Sequence, residues 1–61
     1  MKIQPRAADE LIGTYRTFGE AGPAYEVLRR NDAKTVRVRV LESGEELSYP
    51  VEQAIADPEA D

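Results

Sequence analysis

The chain of 61 residues contains no cysteine, no histidine and no tryptophan. Without cysteine no disulfide can staple a small fold, and without either residue the usual zinc ligands and the commonest nucleophile–base pairs are missing. Ser43 and Ser48 have no activating partner nearby in sequence. No apolar run approaches the roughly 20 residues that span a bilayer, and no apolar stretch follows Lys2 as an export signal would require. Positive charge is also short: 8 Lys and Arg stand against 12 Asp and Glu, a net charge of −4. Nucleic-acid binding draws on clustered cations that displace counterions from phosphates, so the acidic total weighs against it without excluding a local basic face. The expectation is a cytoplasmic, bacterial-type protein that is not an enzyme and takes no cofactor and no metal.

What the chain does have is alternation. In Thr35–Val40, valines at 36, 38 and 40 alternate with Arg37 and Arg39. That period of two marks a half-buried strand, since a helix would scatter the same residues around its circumference. Ser43-Gly44 reads as a two-residue turn, glycine supplying positive φ. Glu42 then lies opposite Glu45, Val40 opposite Leu47 and Val38 opposite Tyr49. Upstream, Ala24–Arg30 is a second strand, closed by a turn at Asn31-Asp32-Ala33-Lys34. With Arg30 opposite Thr35, Val27 faces Val38, Tyr25 faces Val40, and Glu26 faces Arg39 as an attractive cross-strand pair. Both turns give the same buried face: Tyr25, Val27, Val36, Val38, Val40, Leu47 and Tyr49.

The flanking segments complete the expectation. Residues 1–11 are a loose start or a short helix over Ala7–Ile12, ended by Gly13. Thr14–Phe18 is rich in β-formers, and a Gly- and Pro-containing loop follows it. Val51, Ala54 and Ile55 share one face of a short helix, with Pro50 at its first position and Asp57-Pro58 as its stop. Residues 57–61 read as a mobile acidic tail. The fold expected is mainly β, a small α+β domain over 1–61. Its sheet is an antiparallel meander of three to four strands, able to curl into a partly open SH3-like barrel, with the C-terminal helix packed on one face. So small a chain buries a limited core, and association with a partner would add stability.

Acidic pairs such as Asp9-Glu10 and Glu45-Glu46 read as solvated surface, and a two-residue turn at Glu42–Glu45 cannot wrap a calcium ion. Tyr15, Phe18 and Tyr25 read as core in preference to a base-stacking platform. The second sheet face is the candidate site. It carries Glu26, Leu28, Arg30, Arg37, Arg39, Leu41, Glu46 and Ser48. Arginine with scattered apolar residues suits a protein interface. The partner-binding candidates are Arg37, Arg39, Leu28, Leu41 and Glu26, contacting a protein partner or a second copy. The alternative is a nucleic-acid-binding regulator.

Three stretches, Arg16–Val27 (RTFGEAGPAYEV), Val40–Pro50 (VLESGEELSYP) and Asp57–Ala60 (DPEA), resemble a family of short uncharacterised bacterial proteins. The resemblance implies a single domain of this size and no particular activity. In size and charge the chain is also similar to antitoxins and phage-borne inhibitors.

Overall fold

The computed structural model of the chain describes residues 6–60. In chain order the elements are α1 (Arg6–Leu11), β1 (Tyr15–Thr17), β2 (Ala24–Arg30), β3 (Thr35–Val40), β4 (Glu46–Pro50) and α2 (Val51–Ala56). The four strands form one antiparallel sheet in the order β1-β2-β3-β4, a meander. This is the expected architecture with its C-terminal helix. The loose start expected before Arg6 lies outside the described residues.

The β2–β3 pairing meets the expectation at one end and departs from it at the other. Tyr25 is opposite Val40, Glu26 opposite Arg39 and Val27 opposite Val38, after which a bulge shifts the register so that Arg29 faces Arg37 and Arg30 faces Val36. The cause lies in the turn. Asp32 Oδ1 accepts from the Lys34 N–H at 2.9 Å, the Thr35 N–H at 2.9 Å and the Thr35 hydroxyl at 3.0 Å, and Asn31 N–H donates to the Thr35 carbonyl at 3.0 Å. The loop is therefore one residue shorter than the sequence reading assumes. An extra residue at Leu28 restores the register in which Tyr25 and Val27 meet the valines, because a one-residue slip would turn every side chain over.

The β3–β4 hairpin differs by two residues. Val38 is opposite Leu47, Val36 opposite Tyr49 and Arg39 opposite Glu46. Val40 N–H donates to the Glu45 carbonyl at 2.8 Å and Gly44 N–H to the Val40 carbonyl at 2.7 Å, so the loop is Leu41–Gly44, closed by Gly44 at φ 79°. A shift of two preserves which side every residue faces. It replaces the expected Glu42–Glu45 repulsion with an Arg39–Glu46 attraction.

The core consists of Leu11, Tyr25, Val27, Val36, Val38 and Ala54, with Phe18, Leu47, Tyr49 and Val51 packed against it. Fully burying a side chain of this size contributes about 1.5–3 kcal/mol. Val40 is only half-buried. Pro50 is the N-cap of α2 with ψ 135°, not its first helical residue, and Asp57 leaves the helix with ψ 145°. The inward stripe is thus Val51, Ala54 and Asp57, three residues apart, while Ile55, expected inside, is 48% exposed. Beyond α2 the chain returns to β1: Arg16 and Glu59 form an antiparallel bridge, with Thr17 N–H donating to the Pro58 carbonyl at 3.0 Å and Ala60 N–H to the Tyr15 carbonyl at 2.8 Å. The reading of 57–61 as a free tail is corrected here: Asp57 is buried, and 58–60 lies along β1. Among the described residues the sheet runs in linear order from β1 to β4, and the Arg16–Glu59 bridge joins β1 to the C-terminal segment, not to β4, so the expected SH3-like closure is not shown. No helix among the described residues is long and apolar enough to cross a membrane.

Candidate functional site

The two sides of the sheet have different chemistry. On the covered side a polar cluster fastens α2 down. Asp57 is 4% exposed. Its Oδ2 accepts from the Tyr25 hydroxyl at 2.7 Å and the Tyr49 hydroxyl at 2.8 Å, and its Oδ1 from the Gly19 N–H at 3.2 Å. Burial opposes ionisation of this carboxyl, but the donors, Tyr25 foremost, outweigh it and hold Asp57 below the usual carboxylate range. The phenols move the other way. Burial, followed by the adjacent carboxylate, raises Tyr25 strongly and pushes Tyr49 up to about 12.

Around this point Phe18, Tyr25 and Tyr49 form a trio, with ring centroids 4.3 Å apart for Phe18–Tyr25 and 5.1 Å for Phe18–Tyr49. Arg16, on the covered side of β1, donates through Nη1 to the carbonyls of Ala54 at 3.2 Å and Asp57 at 3.0 Å and pairs with Glu59 at 3.6 Å. A cation among the final carbonyls of a helix satisfies acceptors that the helix leaves open. Gly22 lets the preceding loop close over these rings, since a Cβ there would collide with the Phe18 carbonyl oxygen. Every member of this cluster is bonded within the chain, and its arrangement is that of a fastening.

The open side is built differently. The registers align Tyr15 with Glu26, Glu26 with Arg39, and Arg39 with Glu46, so one row crosses all four strands. Tyr15 is 45% exposed and Leu41 47% exposed. Of the five expected contact residues, Arg37 and Arg39 stand side by side on β3, both reaching Glu46: Arg37 Nε lies 3.3 Å from Oε1 and Arg39 Nε 3.9 Å from Oε2. Glu26 occupies its expected place opposite Arg39, yet the ion pairs of this face run to Glu46 instead. Leu28 is the half-buried residue at the bulge, and Leu41 sits in the β3–β4 loop, next to β2 through its N–H bond to the Ala24 carbonyl at 3.0 Å.

Arg30 does not belong to this face. The bulge sets it opposite Val36, and its guanidinium pairs with Asp9 of α1 at 3.5 Å. Arg29 takes its place, opposite Arg37. Sequence reasoning missed Arg29 because alternation was carried unbroken through β2. It missed Tyr15 as a surface residue because aromatic content was read as core, and it missed Asp57 because an Asp-Pro pair near the end reads as a helix stop.

A four-stranded antiparallel meander with a short helix fastened across one face defines a small β-rich domain whose other face is uncovered by any described element. Among curated proteins none matches the chain. The chain belongs to a family of unknown function (DUF5397), which matches residues 3–61.

Proposed function

We propose that the chain is a cytoplasmic, non-catalytic protein-interaction module, which binds a protein partner or a second copy of itself through the open face of the sheet. The observation that carries this reading is the row Tyr15–Glu26–Arg39–Glu46, flanked by Arg37 and Leu41. Aromatic and arginine side chains are the types enriched where proteins meet, and they dominate binding energy when desolvated. Placing them on hydrogen-bonded strands fixes their spacing before any partner arrives, which lowers the ordering cost of association. The two glutamates on either side of Arg39 dilute the attraction for a phosphate backbone, which favours a protein over a nucleic acid.

The test is Arg39→Glu. The guanidinium is part-exposed and its ion pair is long, so the substitution should leave the fold intact, with the melting temperature lowered by no more than about 8 °C for the ~1 kcal/mol or less such a pair contributes. It should weaken association, measured by sedimentation for self-association and by capture of the host partner, at least about tenfold. Unaltered association would remove the open face from consideration. Titration with duplex and single-stranded oligonucleotides at low salt covers the rival: tight binding that falls steeply with added salt would replace this reading with a nucleic-acid one.

A further inference from the structure

The bulge at Leu28 sets two arginines against one another. Arg29 stands directly opposite Arg37, and like charges in that relation are unfavourable. Elsewhere in the sheet the chain supplies counter-charges. Arg16 has Glu59, Arg30 has Asp9, and Arg37 and Arg39 share Glu46, but the ion pairs among the described residues leave Arg29 out. Three arginines thus share one side of the sheet, two of them paired with Glu46. That carboxylate approaches from the β4 side, whereas Arg29 lies on the β2 side. Bulges re-aim side chains, and this one puts Arg29 on the open face opposite Arg37, with no ion pair among the described residues.

Resting on the reading of the open face as a contact surface, we propose that Arg29, Arg37 and Arg39 form a receptor for an acidic segment of a partner protein. Its carboxylates lie between Arg29 and Arg37 and displace Glu46 from the arginines of β3. Guanidinium forks are matched to carboxylates. Arg37 and Arg39 are two positions apart on one strand, a spacing of about 6.6 Å. An extended segment with acids at alternate positions presents carboxylates at that same interval on one side, and an apolar residue two positions further on that side can meet Leu41, which follows Arg39 by two. A second copy is the poorer occupant, because a two-fold face-to-face contact presents the same patch from both sides, arginines toward arginines. A nucleic acid brings a continuous phosphate array that also meets Glu26 and Glu46, whereas a short acidic segment can seat its carboxylates on the arginines alone. The Arg37–Glu46 and Arg39–Glu46 pairs are part-exposed, and pairs of that kind exchange partners at little cost.

The experiment is a titration of the ¹⁵N-labelled full chain, followed by amide shifts at low salt. The probes are a peptide of alternating Glu and Leu, its Gln-for-Glu counterpart, and a single-stranded oligonucleotide of equal charge. The Glu peptide should give saturable shifts centred on β2 and β3, and the Gln peptide none. Arg29→Gln should weaken the Glu peptide about fivefold or more without a change in melting temperature. Glu46→Gln removes the internal competitor and should tighten it about twofold or more. Should Arg29→Gln disturb the fold, the gain in Glu46→Gln decides alone. Equal binding of the Gln peptide, shifts centred on α2, tighter binding of the oligonucleotide, or indifference to both substitutions would overturn the proposal. If the acidic peptide fails while Arg39→Glu still abolishes association, the acidic partner falls and the open face stands. If both Arg29→Gln and Arg39→Glu leave association untouched, both fall.

Discussion

Tyr25 and Asp57 lie 32 residues apart and share a 2.7 Å hydrogen bond at the centre of the covered side. The same carboxylate oxygen takes the Tyr49 hydroxyl at 2.8 Å, so β2, β4 and the end of α2 converge on one atom. Breaking a buried charged network from one side leaves the other groups unsatisfied. Asp57→Ala should therefore cost about 2–4 kcal/mol in urea unfolding. That is a large share of the stability of so small a domain. Asp57→Asn, which keeps an acceptor oxygen, should cost roughly half as much.

The same network sets two limits on pH. Asp57 sits below its ordinary value in the fold, so its contribution is complete above the unfolded value near ~3.9 and is lost as pH falls through the lower folded value. Tyr25 and Tyr49 are raised, Tyr49 to about 12. Their contribution is complete below the unfolded value near ~10 and is lost as pH rises through the folded values. Thermal melting across this range should show both limbs. Tyr49→Phe should soften the alkaline one, and Asp57→Asn should flatten the acid one. Asp32, whose carboxyl is also lowered by the N–H of Lys34 and the hydroxyl and N–H of Thr35, would leave a smaller acid slope in that variant.

Core and surface positions on neighbouring elements should part clearly. Val38 is fully buried, and Val38→Ala removes two methyl groups and leaves a cavity, an expected loss of about 2 kcal/mol. Ile55→Ala, on the outward side of α2, should stay within about 0.5 kcal/mol. Denaturant midpoints of the two variants check the direction in which α2 faces.

Gly22→Ala should destabilise by about 2 kcal/mol or more, because the new methyl group meets backbone at Phe18 that cannot swing aside. Near-ultraviolet circular dichroism from the Phe18–Tyr25–Tyr49 cluster should weaken in the same variant, since the loop holds Phe18 over the other two rings.

The sheet was legible because alternation and turn chemistry both act locally. Val36 and Val38 face inward as their period requires, and even a register misplaced by two residues kept every β4 side chain on its correct face. The bulge was not legible. It arises from a conflict between a three-residue turn fixed by Asp32 and a valine pairing fixed by burial, and neither residue reveals the conflict alone. Arg29 and Arg30 exchanged faces in consequence. Asp57 was hidden for a related reason. Its partners Gly19 and Tyr25 are 38 and 32 residues away, and a carboxylate shows its burial only when the donors that tolerate it are in place. The i, i+3, i+4 spacing puts Ile55 on one face with Val51 and Ala54, whereas the fold turns Val51, Ala54 and Asp57 inward. Beginning at Val51, a helix of six residues presents a single narrow stripe.

The contact surface is tested most directly by comparing Arg39→Glu on the open side with Glu52→Arg on the exposed first turn of α2. Each reverses a charge. Capture of the host partner by the two variants, both folded at the temperature of the assay, should be lost for Arg39→Glu and retained for Glu52→Arg. The opposite pattern, loss at Glu52 and retention at Arg39, would place the contact on the helix-covered side and contradict the account.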